Sequence, residues 1–253
     1  MKVRAVLFDL GHTLWDLQYN LSLPPVIYRR VRQRLARTLD GPLPSADRLR
    51  EAVEARWLRE EVSVLKEGRL DQRPFSELIA EGLAGGGVQV SGRALAAVTD
   101  IILSPDIYAR VMEADTVLAL HALKERGQRL GVVSNTYQRG AVLRDQLAEV
   151  GALPYIDVTV FSSEVGLRKP HPALFEVPLA ELGVPATEAV FVGDSPREDI
   201  AGAKAVGMRA VLTRQYREQT LEGAPAPDHI IWRLQEIVDY VDALNGAKGS
   251  AAG

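Results

Sequence analysis

Four stretches of the chain place reactive side chains where an apolar run breaks off. Asp9 ends the β-prone run Val3-Arg4-Ala5-Val6-Leu7-Phe8 and is soon followed by Gly11. A short continuous apolar run stopped by a turn signal reads as a buried strand of a parallel sheet. Asp9 is then expected at the strand's carboxyl end, where open α/β sheets bind ligands. Ser134 and Asn135 follow Leu130-Gly131-Val132-Val133. A hydroxyl and backbone N–H groups at a strand end suit a phosphoryl oxygen. Lys169 sits in Gly166-Leu167-Arg168-Lys169-Pro170, where the proline favours an extended backbone just before a helix. Its ammonium could neutralise a bound phosphate. Asp194 and Asp199 bracket a loop that enters a helix, and such carboxylates can hold a hard cation, directly or through water. Each stretch also has a plainer reading. Asp9 could cap a loop, Ser134-Asn135 could form an ordinary turn, Lys169 could be solvated, and Asp199 could cap a helix.

The elements that would position these groups follow from periodicity. After Trp15 the pattern is helical for about a hundred residues. Tyr28, Val31, Leu35 and Leu39 share one face, and Gly41-Pro42 ends that helix. Leu49, Val53, Leu58, Val62 and Leu65 mark a second helix, closed by Gly68. A third runs from Phe75 to the triple glycine at Gly85, and a fourth follows Ser91 as its expected N-cap. No strand is expected in this block. From about Asp115 helices alternate with the apolar runs Leu130–Val133, Val158–Phe161, Ala189–Val192, Ala210–Leu212 and His229–Ile231. Helices are expected over Pro172–Leu182, Asp199–Val206 and Trp232–Leu244. Alternation of this kind means right-handed βαβ units and a parallel sheet, with the first strand belonging to it. The expected division is a discontinuous α/β core over 1–15 and 112–245, a helical insert over 16–111, and a flexible tail over 246–253.

Composition narrows the function. The chain has 253 residues and a formal net charge of −3, which argues against a general nucleic-acid or membrane-surface role. It has no cysteine, hence no disulfide, thiolate metal site or cysteine nucleophile. No stretch approaches the roughly 18 apolar residues of a membrane span, and the N-terminal run is too short for a signal peptide. A cytoplasmic protein is expected. Arginine far outnumbers lysine, which fits either base composition or heat adaptation.

Taken together and in this order, FDLGHTL, VVSN, GLRKPHP and FVGDSPREDIAGAKAVGM resemble the haloacid dehalogenase (HAD) superfamily, which is mostly phosphatases. The resemblance covers residues 1–15 and 112–232, and the helical block matches the family's helical cap in position and type. It implies a Rossmann-like three-layer α/β core and a Mg²⁺-dependent phosphoric monoester hydrolase for a small phosphorylated metabolite. Asp9 would be the nucleophile and form an aspartyl-phosphate. Asp9, Asp194 and the backbone carbonyl of Gly11 would ligate the metal. Ser134 and the N–H of Asn135 would bind phosphoryl oxygens, Lys169 would offset charge, and Asp199 would stand behind them, positioning Lys169 or a metal-bound water. A monomer or a homodimer would be in keeping with the family.

One residue departs from the pattern. The family's phosphatases usually carry a second aspartate two positions after the nucleophile, to protonate the leaving alkoxide and then activate water. Here that residue is Gly11, and a general acid or base typically contributes about 10²–10⁴-fold. The substrate could have a good leaving group, turnover could be slow, or His12 could act as the acid. The plainer reading of His12 is a turn residue pointing away. His121, His171 and His229 form no metal constellation in the pattern, and the arginines from Arg29 to Arg37 read as a solvated helix face. Two competing readings remain. A 2-haloacid dehalogenase needs neither the acid nor a metal, but Gly193-Asp194 keeps the metal-ligand pattern. A non-catalytic regulatory or binding protein would have kept the fold and lost turnover.

Overall fold

The computed structural model describes residues 2–246, so beyond Gly246 the tail expected to be flexible lies outside the described residues. The chain divides into two compact units, Met1–Leu17 with Arg110–Gly253, and Gln18–Ala109.

In chain order the elements are β1 (Ala5–Phe8), β2 (Asp16–Tyr19), α1 (Leu23–Leu35), α2 (Ala46–Glu67), α3 (Phe75–Gly85), α4 (Gly92–Ile102), β3 (Tyr108–Val111), α5 (Ala114–Glu125), β4 (Arg129–Ser134), α6 (Gly140–Glu149), β5 (Val158–Phe161), α7 (Ser162–Val165), α8 (Ala173–Leu182), β6 (Ala189–Gly193), α9 (Ala201–Ala205), β7 (Arg209–Thr213), β8 (His229–Ile231) and α10 (Glu236–Leu244). Six strands form one parallel sheet in the order β5-β4-β1-β6-β7-β8. Numbered along the sheet-forming strands alone, this is 3-2-1-4-5-6, the doubly wound order, with its reversal at β1 and β6.

Strand alternation splits the core into two layers. Val6, Phe8, Leu130, Val132, Val190 and Val192 face one side with the apolar residues of α5 and α10. Ala5, Leu7, Val133, Ala189, Phe191 and Leu212 face the other, with Leu174, Phe175 and Leu179 of α8. All four residues of β1 are fully buried, as a central strand covered by helices on both faces must be. The second unit has its own core, in which Tyr28, Val31 and Leu35 of α1 meet Leu49 and Val53 of α2, Ile79 and Leu83 of α3, and Val98 of α4.

The structure corrects the sequence reading in detail. The block read as wholly helical carries two strands, β2 and β3, paired as a separate two-stranded sheet. Each has four residues, DLQY and YARV, too short and too polar to register as a pattern. Ser91 occupies the N-cap position of α4 but makes no capping hydrogen bond with its side chain. The last helix starts at Glu236 rather than Trp232. The helix expected from Asp199 begins earlier, as a π-helical turn over Pro196–Ile200 capped by Ser195, whose side chain accepts from Glu198 N. Asp199 is therefore not that helix's cap. Among the described residues no helix is long and apolar enough to cross a membrane.

Phe191 joins this core to the functional groups above it: it is fully buried in β6, packs edge-on against Phe175 at 5.0 Å, and lies 5.4 Å below Lys169 Nζ. Phe191→Ala is expected to cost about 3–5 kcal/mol of stability, read as a lowered urea midpoint at unchanged slope. A loss below about 1 kcal/mol would contradict this packing.

Candidate functional site

The sheet topology brings the four motifs to one end of the core. Asp9 directly follows β1 and extends its ladder, with Asp9 N donating to Val192 O at 2.9 Å. Ser134 is the last residue of β4. Asp194 directly follows β6. Asp9 and Asp194 therefore stand outside the carboxyl ends of the two strands where the strand order reverses, the crevice in which doubly wound sheets bind ligands. Asp9, Ser134, Lys169, Asp194 and Asp199 are all buried.

Lys169 ties the motifs together. Its ammonium donates to Asp9 Oδ1 at 2.5 Å, to Asp199 Oδ1 at 2.7 Å and to Val133 O at 3.0 Å, which uses all three of its donors. Asn135 holds the lysine's backbone from both sides: Lys169 N donates to Asn135 Oδ1 at 2.8 Å, and Asn135 Nδ2 donates to Lys169 O at 3.2 Å. The side chain of Asn135 thus locks the second motif to the third. Asp199 folds back, its Oδ2 accepting from Ser195 N at 2.8 Å. Only a glycine at 193 permits this, since a Cβ there would lie 2.3 Å from Asp199 Oδ2.

Asp9, Asp194 and Asp199 each present a carboxylate oxygen, and these oxygens lie within 4.8 Å of one another. Buried hard oxygen donors at this spacing fit a small divalent cation. Burial pushes all three carboxyls upward. For Asp9 the charge of Asp194 adds to burial, and Lys169 opposes both. Burial and Asp199 raise Asp194, with Arg217 opposing. Burial and Asp9 push Asp199 up to about 6 against the pull of Lys169. Burial alone would lower Lys169, but Asp199 and Asp9 outweigh it and hold the ammonium above its ordinary range. The physical cause is common to all: three acids share too few cations in a dry site.

Position 11 is where the acid usually stands, and an aliphatic side chain fills the space beside it. A Cβ built on Gly11 would meet Leu17 Cδ1 at 2.8 Å. His12 has a left-handed backbone, φ 57°, and its Nδ1 pairs with Asp16 Oδ1 at 2.9 Å. The ring is thus engaged inside the turn. Asp9 Oδ2 lies 3.5 Å from the Thr13 hydroxyl.

Sequence reasoning missed three neighbours. Arg217 Nε donates to Asp194 Oδ2, and Gln219 Nε2 donates to the same oxygen at 3.0 Å. Both lie in a patternless loop, so nothing in the sequence signals them. Glu198, one residue before Asp199, is a third. Burial raises its carboxyl, Lys169 opposes that, and it hydrogen-bonds with Asn135. Its place inside the fourth motif was the available signal. The helical unit also has a cavity of about 510 Å³, walled by Tyr19, Trp57 and Tyr108 with Arg50 and Glu54 among its lining.

Comparison with known proteins agrees with this architecture. A family model described as haloacid dehalogenase-like hydrolase matches residues 3–207. A phosphoserine phosphatase of Thermus thermophilus is 32% identical over 231 residues, covering 88% of this chain and 86% of that protein. A glyceraldehyde 3-phosphate phosphatase of Methanocaldococcus jannaschii is 35% identical, but the match spans only 51% of this chain and 56% of that protein. Among solved structures, a HAD phosphatase of Thermococcus onnurineus superposes with a TM-score of 0.63 at 25% identity, covering 94% of this chain and 98% of that one. A 2-haloacid dehalogenase of Pseudomonas syringae does so with a TM-score of 0.66, also at 25% identity, covering 96% and 99%.

The raised carboxyls fix a sign. A folded-state pKa above the unfolded value means that the native state holds the proton more tightly, so that stability is present at low pH and lost as pH rises. For Asp199 the window runs from 3.8 to about 6. A divalent cation would reverse the loss, because it binds the deprotonated acids. The rise in melting temperature on adding Mg²⁺ is therefore expected to be larger at about pH 7.5 than at about pH 5. Differential scanning calorimetry at both values checks this, and a larger rise at the lower pH would contradict the cluster.

Proposed function

The chain belongs to the haloacid dehalogenase-like hydrolases, and from that premise we infer that it is a Mg²⁺-dependent phosphatase of small phosphorylated metabolites, acting through an aspartyl-phosphate on Asp9. The observation that carries this reading is the convergence of Asp9, Lys169, Asp194 and Asp199 at the sheet's switch point. The phosphatase names of the relatives support it.

Asp9, Asp194 and the backbone carbonyl of Gly11 would hold Mg²⁺, with Asp199 behind them. When bound, the cation lets carboxylate and phosphate approach each other and stabilises charge on the transferring group. Lys169 orients Asp9 through Oδ1, and the Thr13 hydroxyl does so through Oδ2, so that one carboxylate oxygen would attack while the other would face the cation. Attack on phosphorus forms the Asp9–phosphorus bond and breaks the bond to the leaving oxygen, which departs with its electron pair. Ser134 and the N–H of Asn135 receive the equatorial oxygens, for which positioning and neutralisation matter most. Water then attacks phosphorus and breaks its bond to the Asp9 oxygen, releasing inorganic phosphate, which carries the water's proton away, and restoring the Asp9 carboxylate.

No carboxyl at position 11 gives the leaving oxygen a proton, and Leu17 packs against that position. His12 is held by Asp16. The reading therefore favours substrates whose leaving group departs as a stable anion, such as acyl phosphates or activated esters. The helical cap sets substrate choice in the resemblance, and the cavity of the helical unit has aromatic walls, one arginine and one glutamate.

The apolar surroundings of Gly11 also keep a second reading open, since halide leaves without protonation and one structural neighbour is named a 2-haloacid dehalogenase. Three clustered acids argue for the metal-dependent reaction over it. Activity undiminished by EDTA would favour the dehalogenase.

Two outcomes test the phosphatase. Asp9→Asn is expected to lower Mg²⁺-dependent p-nitrophenyl phosphate turnover by about 10³-fold or more. Equal rates would instead favour a non-catalytic protein. Across aryl and alkyl phosphates, kcat/KM is expected to fall steeply as the leaving-group pKa rises. A flat dependence would mean that some group still supplies the proton.

A further inference from the structure

Asp194 is neutralised from a different direction than its neighbours. Lys169 spends its three donors on Asp9, Asp199 and Val133 and gives none to Asp194. The donors on Asp194 come from the loop between β7 and β8, where Arg217 and Gln219 share Oδ2. Two residues two positions apart thus fasten one loop segment to one oxygen of the acidic cluster.

The two sides of this contact differ in exposure. The Asp194 side chain is 3% exposed and fixed at the end of β6, whereas that of Arg217 is 44% exposed. From Arg214 to Asp228 the loop holds only turns and bends. Its base is tied down, with Tyr216 OH accepting from Glu113 N and Gln215 Oε1 accepting from Leu234 N. Arg217 and Gln219 lie just beyond those ties.

We propose that Arg217 competes with the divalent cation for Asp194, so that residues 217–219 dock on the carboxylate without the ion and let go when it binds. The proposal rests on reading the acidic cluster as a cation site. Charge counting carries it. The three carboxylates supply three negative charges and Lys169 one positive charge. A divalent cation brings that set to neutrality, and Arg217 alone leaves it at minus one. The two together would make it positive, with a guanidinium and a metal ion repelling across a single carboxylate. Gln219 carries no charge, so its part is to anchor the segment. Metal binding and the state of this loop are then one equilibrium.

Isothermal titration of the intact chain with Mg²⁺ tests this without any substrate. Arg217→Gln is expected to tighten Mg²⁺ binding about tenfold, Arg217→Lys to stay near wild type, and Gln219→Leu to tighten it by about twofold at most. Hydrogen exchange supplies the second readout. Mg²⁺ should speed exchange of the wild-type amides around 217–219 toward the rate of metal-free Arg217→Gln. Should that variant not fold, Arg217→Met takes its place. Equal or weaker Mg²⁺ affinity in the variant, with wild type binding, overturns the latch and leaves the cation site standing. Binding by the variant alone supports the latch, and binding by neither overturns latch and cation site together. Exchange in the segment that ignores Mg²⁺ also overturns the latch.

Discussion

The site depends on one buried ammonium placed between two carboxylates. Lys169 reaches Asp9 and Asp199 at 2.5 and 2.7 Å with almost no solvent around it. Taking such charges out of water costs several kcal/mol per ion, and their attraction repays it only with good geometry and full hydrogen bonding. Here the third donor of Lys169 finds Val133 O, and Asp199 finds Ser195 N. The arrangement is complete for the lysine yet deficient in positive charge for the acids, because one ammonium serves three carboxylates and gives Asp194 no hydrogen bond. Burial first, and then the acids' mutual repulsion, raise all three carboxyls; the shortfall of positive charge suits the cluster to a cation and fits an arginine from a distant loop lying on Asp194.

Backbone geometry makes the arrangement reproducible. β1 is paired on both edges, to β4 and β6, in a register that sets Phe8 beside Val132 and Val192. The residues after these strands must then emerge side by side. Asp9 is fixed by the same hydrogen-bond ladder as the strand before it. Lys169 comes from outside the sheet, and the two-sided grip of Asn135 brings it in. This gives Asn135 a structural task beside the phosphoryl contact inferred from the resemblance. Gly193 has a comparable task, leaving room for a carboxylate to pass beneath the end of β6.

Much of this is legible because strands of a parallel sheet announce themselves as short apolar runs, and four of the six runs here stop at a polar residue, Asp9, Ser134, Ser162 or Thr213. The six sheet strands and the residues that terminate them follow from that pattern. What stayed hidden lacks a period. β2 and β3 are four residues each and half exposed. The π-helical turn at Pro196–Ile200 belongs to a segment whose composition reads as ordinary helix. Arg217 and Gln219 sit in a loop where only folding reveals that they meet Asp194. Leu17 illustrates the same limit. The glycine at position 11 is plain in the sequence, but the aliphatic group beside it is visible only in three dimensions.

The glycine at position 11 and the charged residues around it are held by different physical constraints. Lys169, Asp9 and Asp199 form an interdependent set, since removing the ammonium strands two carboxylates in a dry environment at a cost of about 3–5 kcal/mol. An acid at position 11 would start beside Leu17, whose Cδ1 lies 2.8 Å from a Cβ built there. Its absence breaks none of the hydrogen bonds that join Lys169, Asp9 and Asp199. In the proposed reaction the consequence of Gly11 falls on the proton that a poor leaving group requires. Electrostatic coupling thus ties Lys169 to Asp9 and Asp199, while position 11 bears only on the leaving group of the proposed reaction.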